Sequence, residues 1–105
     1  MTAIIEQHAK AISDLCRRYG VARLEVFGSA ADDTFDPEHS DIDLLVEFLP
    51  GQDLGPWLAQ YFELKRDLET LLGSSVDLVM TGVLATANPY FAREVNRSRR
   101  LVYAA

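Results

Sequence analysis

The chain has one cysteine, one tryptophan and only ten basic side chains in 105 residues. Each shortage excludes something. A lone Cys16 cannot close an intrachain disulfide, so a reducing, cytoplasmic setting is expected. No apolar run approaches the roughly 20 residues that span a bilayer. The first residues lack a basic stretch followed by an apolar one, so no signal peptide is expected and no membrane association is read. Sixteen acidic residues against ten basic ones give a net charge of −6. That balance argues against nucleic-acid binding, which draws on clustered Lys and Arg. Repeats, linkers and low-complexity segments are missing too, so residues 1–105 read as a single domain. What remains is a globular composition, 49% hydrophobic, with enough length for a modest core.

The pattern along the chain alternates helix and strand. Ile4, Ile5, His8, Ile12, Leu15, Cys16 and Tyr19 recur at helical spacing, and Gly20 supplies a C-terminal stop. A strand is expected at Arg23–Phe27 and a short helix from near Ala30. A polar loop follows around Asp36-Pro37, then a second strand over Asp41–Phe48, broken by Pro50-Gly51. The next helix is expected from Gly55 to Leu72. Its apolar stripe is Trp57, Leu58, Tyr61, Phe62, Leu64, Leu68, Leu71 and Leu72, and it ends at Gly73. A third strand covers Val76–Met80. Asn88-Pro89 reads as an N-cap followed by proline at the first helical position, opening a helix to Arg99, and Leu101–Tyr103 reads as a final strand. Strands and helices in this order imply an α/β (α+β) fold, a small mixed sheet with helices packed on it.

Three aspartates interrupt this pattern. Within Ser40-Asp41-Ile42-Asp43-Leu44-Leu45-Val46, the alternation puts Ile42, Leu44 and Val46 on one face and Asp41 and Asp43 on the other. Two carboxylates at i and i+2 on a strand stand roughly 6.6 Å apart and can converge on a hard cation. Within Val76-Asp77-Leu78-Val79, Asp77 is likewise set into an apolar run. Burying carboxylates is costly unless they are paired or bind metal. Magnesium suits such a site, because it takes one or two carboxylates and completes its shell with substrate phosphates. The sheet face bearing the aspartates is expected to be exposed and to form the active site. Gly28-Ser29 ends the first strand, where a glycine admits close backbone approach and the amides and hydroxyl can hold phosphates.

The other polar residues carry blander readings. Asp32, Asp33, Asp36 and Glu38 read as a solvated acidic loop, His39 as a loop residue and His8 as a helix-face residue. Ser29 has no His-Asp pair in a recognisable arrangement, so it is not read as a hydrolase nucleophile. Arg93, Arg97, Arg99 and Arg100 form a basic cluster, read as a solvated helix face or as a contact to an acidic partner or to phosphates.

Phe27-Gly28-Ser29-Ala30-Ala31, Ser40-Asp41-Ile42-Asp43-Leu44 and Val76-Asp77-Leu78-Val79, with the ending from Asn88-Pro89-Tyr90-Phe91 to Leu101-Val102-Tyr103, resemble the minimal nucleotidyltransferases of the DNA polymerase β-like superfamily. The resemblance runs from about Val21 to Tyr103. It implies the minimal nucleotidyltransferase fold, two Mg²⁺ ions and ATP as donor. Gly28 and Ser29 would hold phosphates, Asp41 and Asp43 would bind metal, and Asp77 would complete the triad. It further implies a HEPN-domain toxin as partner, adenylylated on a tyrosine hydroxyl, with this chain as its antitoxin. The family often continues Gly-Ser-x-Ala-Arg-Gly, and here Asp32 and Asp33 stand where that pattern has arginine and glycine. Two other readings stand beside this one: an antitoxin that neutralises by binding alone, and a stand-alone enzyme modifying a small molecule.

Overall fold

In the computed structural model, which describes residues 1–32 and 34–105, four strands form one mixed sheet. They are β1 (Val21–Phe27), β2 (Ile42–Phe48), β3 (Val76–Met80) and β4 (Arg100–Ala104), in the order β3-β2-β1-β4. β2 and β3 run parallel, and β1 is antiparallel to both β2 and β4. The helices are α1 (Ala3–Gln7), α2 (Ala9–Arg18), α3 (Ala59–Leu72), α4 (Thr81–Ala85) and α5 (Pro89–Ser98). The long helix α3 is the crossover that a parallel β2–β3 pair requires.

The sheet is covered on both faces. On one, Leu24, Val26, Ile42, Leu44, Val46, Val76 and Leu78 pack with Ile12 and Cys16 of α2 and with Leu64, Leu68 and Leu72 of α3. On the other, Phe27 and Leu45 pack with Val95 of α5, flanked by Val79 and by Leu84 of α4. The aspartate-bearing face is therefore not the bare surface expected from the alternation. Its lower part is apolar and roofed by α4 and α5. The reason is visible in β2 itself, where Leu45 shares a face with Asp43 and is 1% exposed.

Local differences have physical causes. The first helix breaks at His8, whose Nδ1 donates to the Ile4 carbonyl at 2.8 Å. Asp41 precedes β2 and is exposed. The apolar stripe of the third helix divides. Leu64, Leu68 and Leu72 are buried, whereas Phe62 and Leu58 are exposed and Trp57 is 95% exposed. Trp57 and Leu58 both adopt left-handed backbone, with φ of 56° and 57°, so the chain turns there and α3 starts only at Ala59. The Asn88 cap is as expected: its Oδ1 accepts the Tyr90 amide at 2.8 Å.

Candidate active site

The register of the sheet places the carboxylates. Asp43 is paired with Asp77 across the parallel β2–β3 ladder and with Phe27 across the antiparallel β1–β2 ladder. Neighbouring strands lie about 4.8 Å apart, so the Asp43 and Asp77 side chains stand side by side on one face. Asp41 lies two residues ahead, at the mouth of the same strand. Beneath them are Phe27, Leu45 and Val79. Burial against this floor, with Asp77 and then Asp41 nearby, pushes the Asp43 carboxyl up to about 6.

No lysine, arginine or histidine among the described residues pairs with any of the three aspartates. Nor do three acidic, histidine or cysteine side chains among the described residues converge as a closed cage. The arrangement is a strained carboxylate pair with a third acid at its edge. It suits Mg²⁺, which needs only oxygen donors and one or two carboxylates when substrate phosphates supply the rest.

Gly28 closes the other side. Its φ is +67°, and a Cβ there would lie 2.6 Å from Asp43 Oδ2. L side chains rarely adopt that backbone, and a Cβ would also displace the Asp43 carboxylate, so glycine is strongly favoured. Residues Gly28–Ala30 form a single 3₁₀ turn, with the Ala31 and Asp32 amides both donating to the Gly28 carbonyl. The Gly28 amide donates to Ser98 Oγ at 2.9 Å, and Ser98 Oγ in turn donates to the Glu94 carbonyl at 2.9 Å. Gly28 thus shapes the turn and spaces it from Asp43, while its own N–H is already satisfied. Ser29 is half-buried, with its hydroxyl hydrogen-bonded to none of the described residues.

The basic cluster divides. Arg99 forms a bidentate pair with the buried Glu25, at 2.8 and 2.6 Å, with Arg23 adding a third bond at 2.9 Å. Arg97 binds Glu94 at 3.0 Å and lies 3.9 Å from Asp32. Arg93 sits over the Tyr90 ring, and Arg100 donates to the Ser98 and Arg99 carbonyls. In the acidic loop, Asp36 accepts the Glu38 amide and pairs with His39 at 2.8 Å, as a solvated loop would. Asp33 lies outside the described residues. Sequence reasoning missed Ser98. A serine inside a helix that bonds the carbonyl four residues back carries no pattern that distinguishes it.

Two carboxylates at paired positions of adjacent strands thus lie beside a glycine-serine turn, with a third acid at their edge and no ion-pair partner for any of them among the described residues. Residues 8–102 match the nucleotidyltransferase domain model, and the chain belongs to that family of enzymes. It is 37% identical to MJ0128 of Methanocaldococcus jannaschii, provisionally named a protein adenylyltransferase, over 95% of this chain and 90% of that protein. It is 40% identical to the protein adenylyltransferase MntA of Thermococcus cleftensis, over 78% of this chain and 75% of that protein. A toxin–antitoxin crystal structure with AMP-PNP matches with a TM-score of 0.67 at 25% identity, covering 92% of this chain and 73% of that one.

Proposed function

We propose that this chain transfers AMP from ATP to a hydroxyl group of a partner protein, in a Mg²⁺-dependent reaction. The observation that carries this reading is the unneutralised Asp43–Asp77 pair, with Asp43 pressed against Gly28. Asp41 and Asp43 would hold magnesium, with Asp77 sharing a second ion. Bound magnesium supplies positive charge to the triphosphate. Ser29 offers its hydroxyl to the phosphates from the turn. The acceptor oxygen forms a bond to the α-phosphorus as the bond to the bridging oxygen breaks and pyrophosphate leaves. The acceptor proton passes to the Asp77 carboxylate, which stands at the open side of the pair. The Tyr61 hydroxyl donates to the Leu78 carbonyl and so steadies the strand beside Asp77.

The acceptor is read as a separate protein because, among the described residues, four strands and five helices close two cores and leave apolar side chains such as Trp57, Phe62 and Tyr90 on the surface and not around an enclosed acceptor pocket. A depression of about 590 Å³ lies between α2 and α3, the helices that cover the opposite face of the sheet from the carboxylates. By the resemblance, the acceptor is a tyrosine of a HEPN toxin and this chain is its antitoxin; the relatives named protein adenylyltransferases and the toxin–antitoxin neighbour support a protein acceptor. A cytoplasmic setting accompanies that reading. No helix among the described residues is long and apolar enough to cross a membrane. Burial raises the Cys16 thiol to about 12, so it stays inert.

One observation favours neutralisation by binding alone: Asp32 stands at the end of the turn, where it repels phosphate. Intact-mass measurement of the toxin after incubation with this chain, ATP and Mg²⁺ separates the two. AMP transfer adds adenylyl units with the unmodified chain and none with Asp43→Ala. An unchanged toxin mass, with both versions neutralising equally, leaves the binding antitoxin.

A further inference from the structure

The site so far contains three acids and no cation of its own, although its substrate would bring a triphosphate. Polyphosphate beside Gly28–Ala30 would also meet Asp32, whose amide closes the turn onto the Gly28 carbonyl. The side chain facing that turn from the other side belongs to α5. Ser98 locks α5 to Gly28 through the 2.9 Å bond to its amide. Arg97, the preceding residue, directs its guanidinium to Asp32 at 3.9 Å and to Glu94 at 3.0 Å. Arg23 and Arg99 are committed to Glu25, and Arg100 to backbone carbonyls.

Arg97 is held loosely. Its side chain is 60% exposed, and the Asp32 contact is at the outer limit of an ion pair. Exposed pairs of this kind contribute little to stability. A guanidinium gains more from a phosphate, which it can grip through two parallel N–H bonds, than from a long single contact to a carboxylate.

Resting on the reading of the site as nucleotidyltransferase, we infer that Arg97 binds the β- and γ-phosphates of the incoming nucleoside triphosphate, exchanging Asp32 for them. The positive charge that the turn itself lacks is thus delivered from α5, and Ser98 sets its position. Arg97 would leave AMP, which has no such phosphates, untouched.

Calorimetric titration of ATP and of AMP into the full chain, with Mg²⁺ present, tests this. Arg97→Ala is expected to weaken ATP binding about tenfold or more and to change AMP binding less than about twofold, as a lost charge-assisted bond to the distal phosphates would. Arg97→Lys should recover part of the loss. Asp32→Asn should tighten ATP binding and leave AMP unchanged, a readout independent of how well the Arg97 variant folds. Arg17→Ala, on the exposed side of α2, controls for net charge. Equal ATP affinity in the wild type and Arg97→Ala would overturn the inference while leaving the nucleotidyltransferase reading in place. Equal weakening of ATP and AMP would overturn it too, because Arg97 would then act on the shape of the site. If the wild-type chain failed to bind ATP with Mg²⁺, both would fall.

Discussion

Two acids on the same face of the sheet meet opposite fates. Glu25, in β1, is 4% exposed and carries three hydrogen bonds from Arg99 and Arg23. The Arg99 hydrogen bonds hold its carboxyl below the usual range against the cost of burial. Asp43, one strand away in β2, is half-buried without a cation among the described residues, and its carboxyl is pushed up to about 6. The fold neutralises the acid that fastens α5 and β4 to β1. It leaves unneutralised the acid that faces the turn. A protein able to supply arginines to one strand and not to its neighbour has a vacancy for positive charge from outside, which is what a metal–nucleotide complex brings.

The comparison can be broken from either side. The largest effect is expected from Asp43→Ala, which removes the proposed central metal ligand. AMP transfer, followed by intact mass or pyrophosphate release, should fall by on the order of 10²–10³-fold, while the melting temperature holds or rises. Loss of fold instead would mean that Asp43 is structural after all.

Arg99→Ala strikes the other acid and should do the opposite, costing about 2–3 kcal/mol in urea unfolding because Glu25 is left buried with one partner. The linkage has a definite sign. The Glu25 carboxyl titrates lower in the folded chain than in the unfolded one, so its contribution is present above pH about 4.5 and is lost as pH falls through the folded value. Unfolding curves of wild type and Arg99→Ala should therefore converge in acid.

Gly28→Ala combines positive φ with a 2.6 Å approach to Asp43 Oδ2, and should cost about 1–3 kcal/mol and reduce transfer as the turn shifts. Alanine accommodated with full activity would show that the turn does not set the spacing.

The smallest effect sharpens the contrast. Asp43→Asn should stabilise the metal-free chain at pH 8 by about 1 kcal/mol, a value discounted because the group is half exposed to solvent. The Asp43 carboxyl titrates higher in the folded chain than in the unfolded one. The wild type should therefore gain stability as pH falls from above about 6 toward 4, closing the gap to the asparagine variant.

Much of the sheet could be read before the fold was known. The alternation across Asp41–Phe48 assigned both the strand and the faces, since Ile42, Leu44 and Val46 are all buried on one side. Asn88-Pro89 announced α5 through cap chemistry that is local to a few residues. What sequence could not show is what depends on distant partners. Arg99 and Glu25 are 74 positions apart, and neither differs in type from a surface residue. The roof over Leu45 escaped notice because Val95 of α5 is a partner distant in sequence, and α4 is only five residues long, too short for a period to show. Trp57 fits the apolar stripe by spacing, yet the left-handed turn at Trp57-Leu58 takes it out of register with α3.

In the proposed reaction, a metal–nucleotide complex supplies the cation that the Asp43 carboxyl lacks among the described residues. An NMR pH titration of the carboxyl carbons, with and without Mg²⁺ and ATP, tests that most directly. The Asp43 midpoint is expected at about 6 in the free chain, falling well into the ordinary carboxylate range when Mg²⁺ and ATP are added together. An ordinary midpoint in the free chain, or an elevated one that Mg²⁺ and ATP leave unmoved, would contradict it.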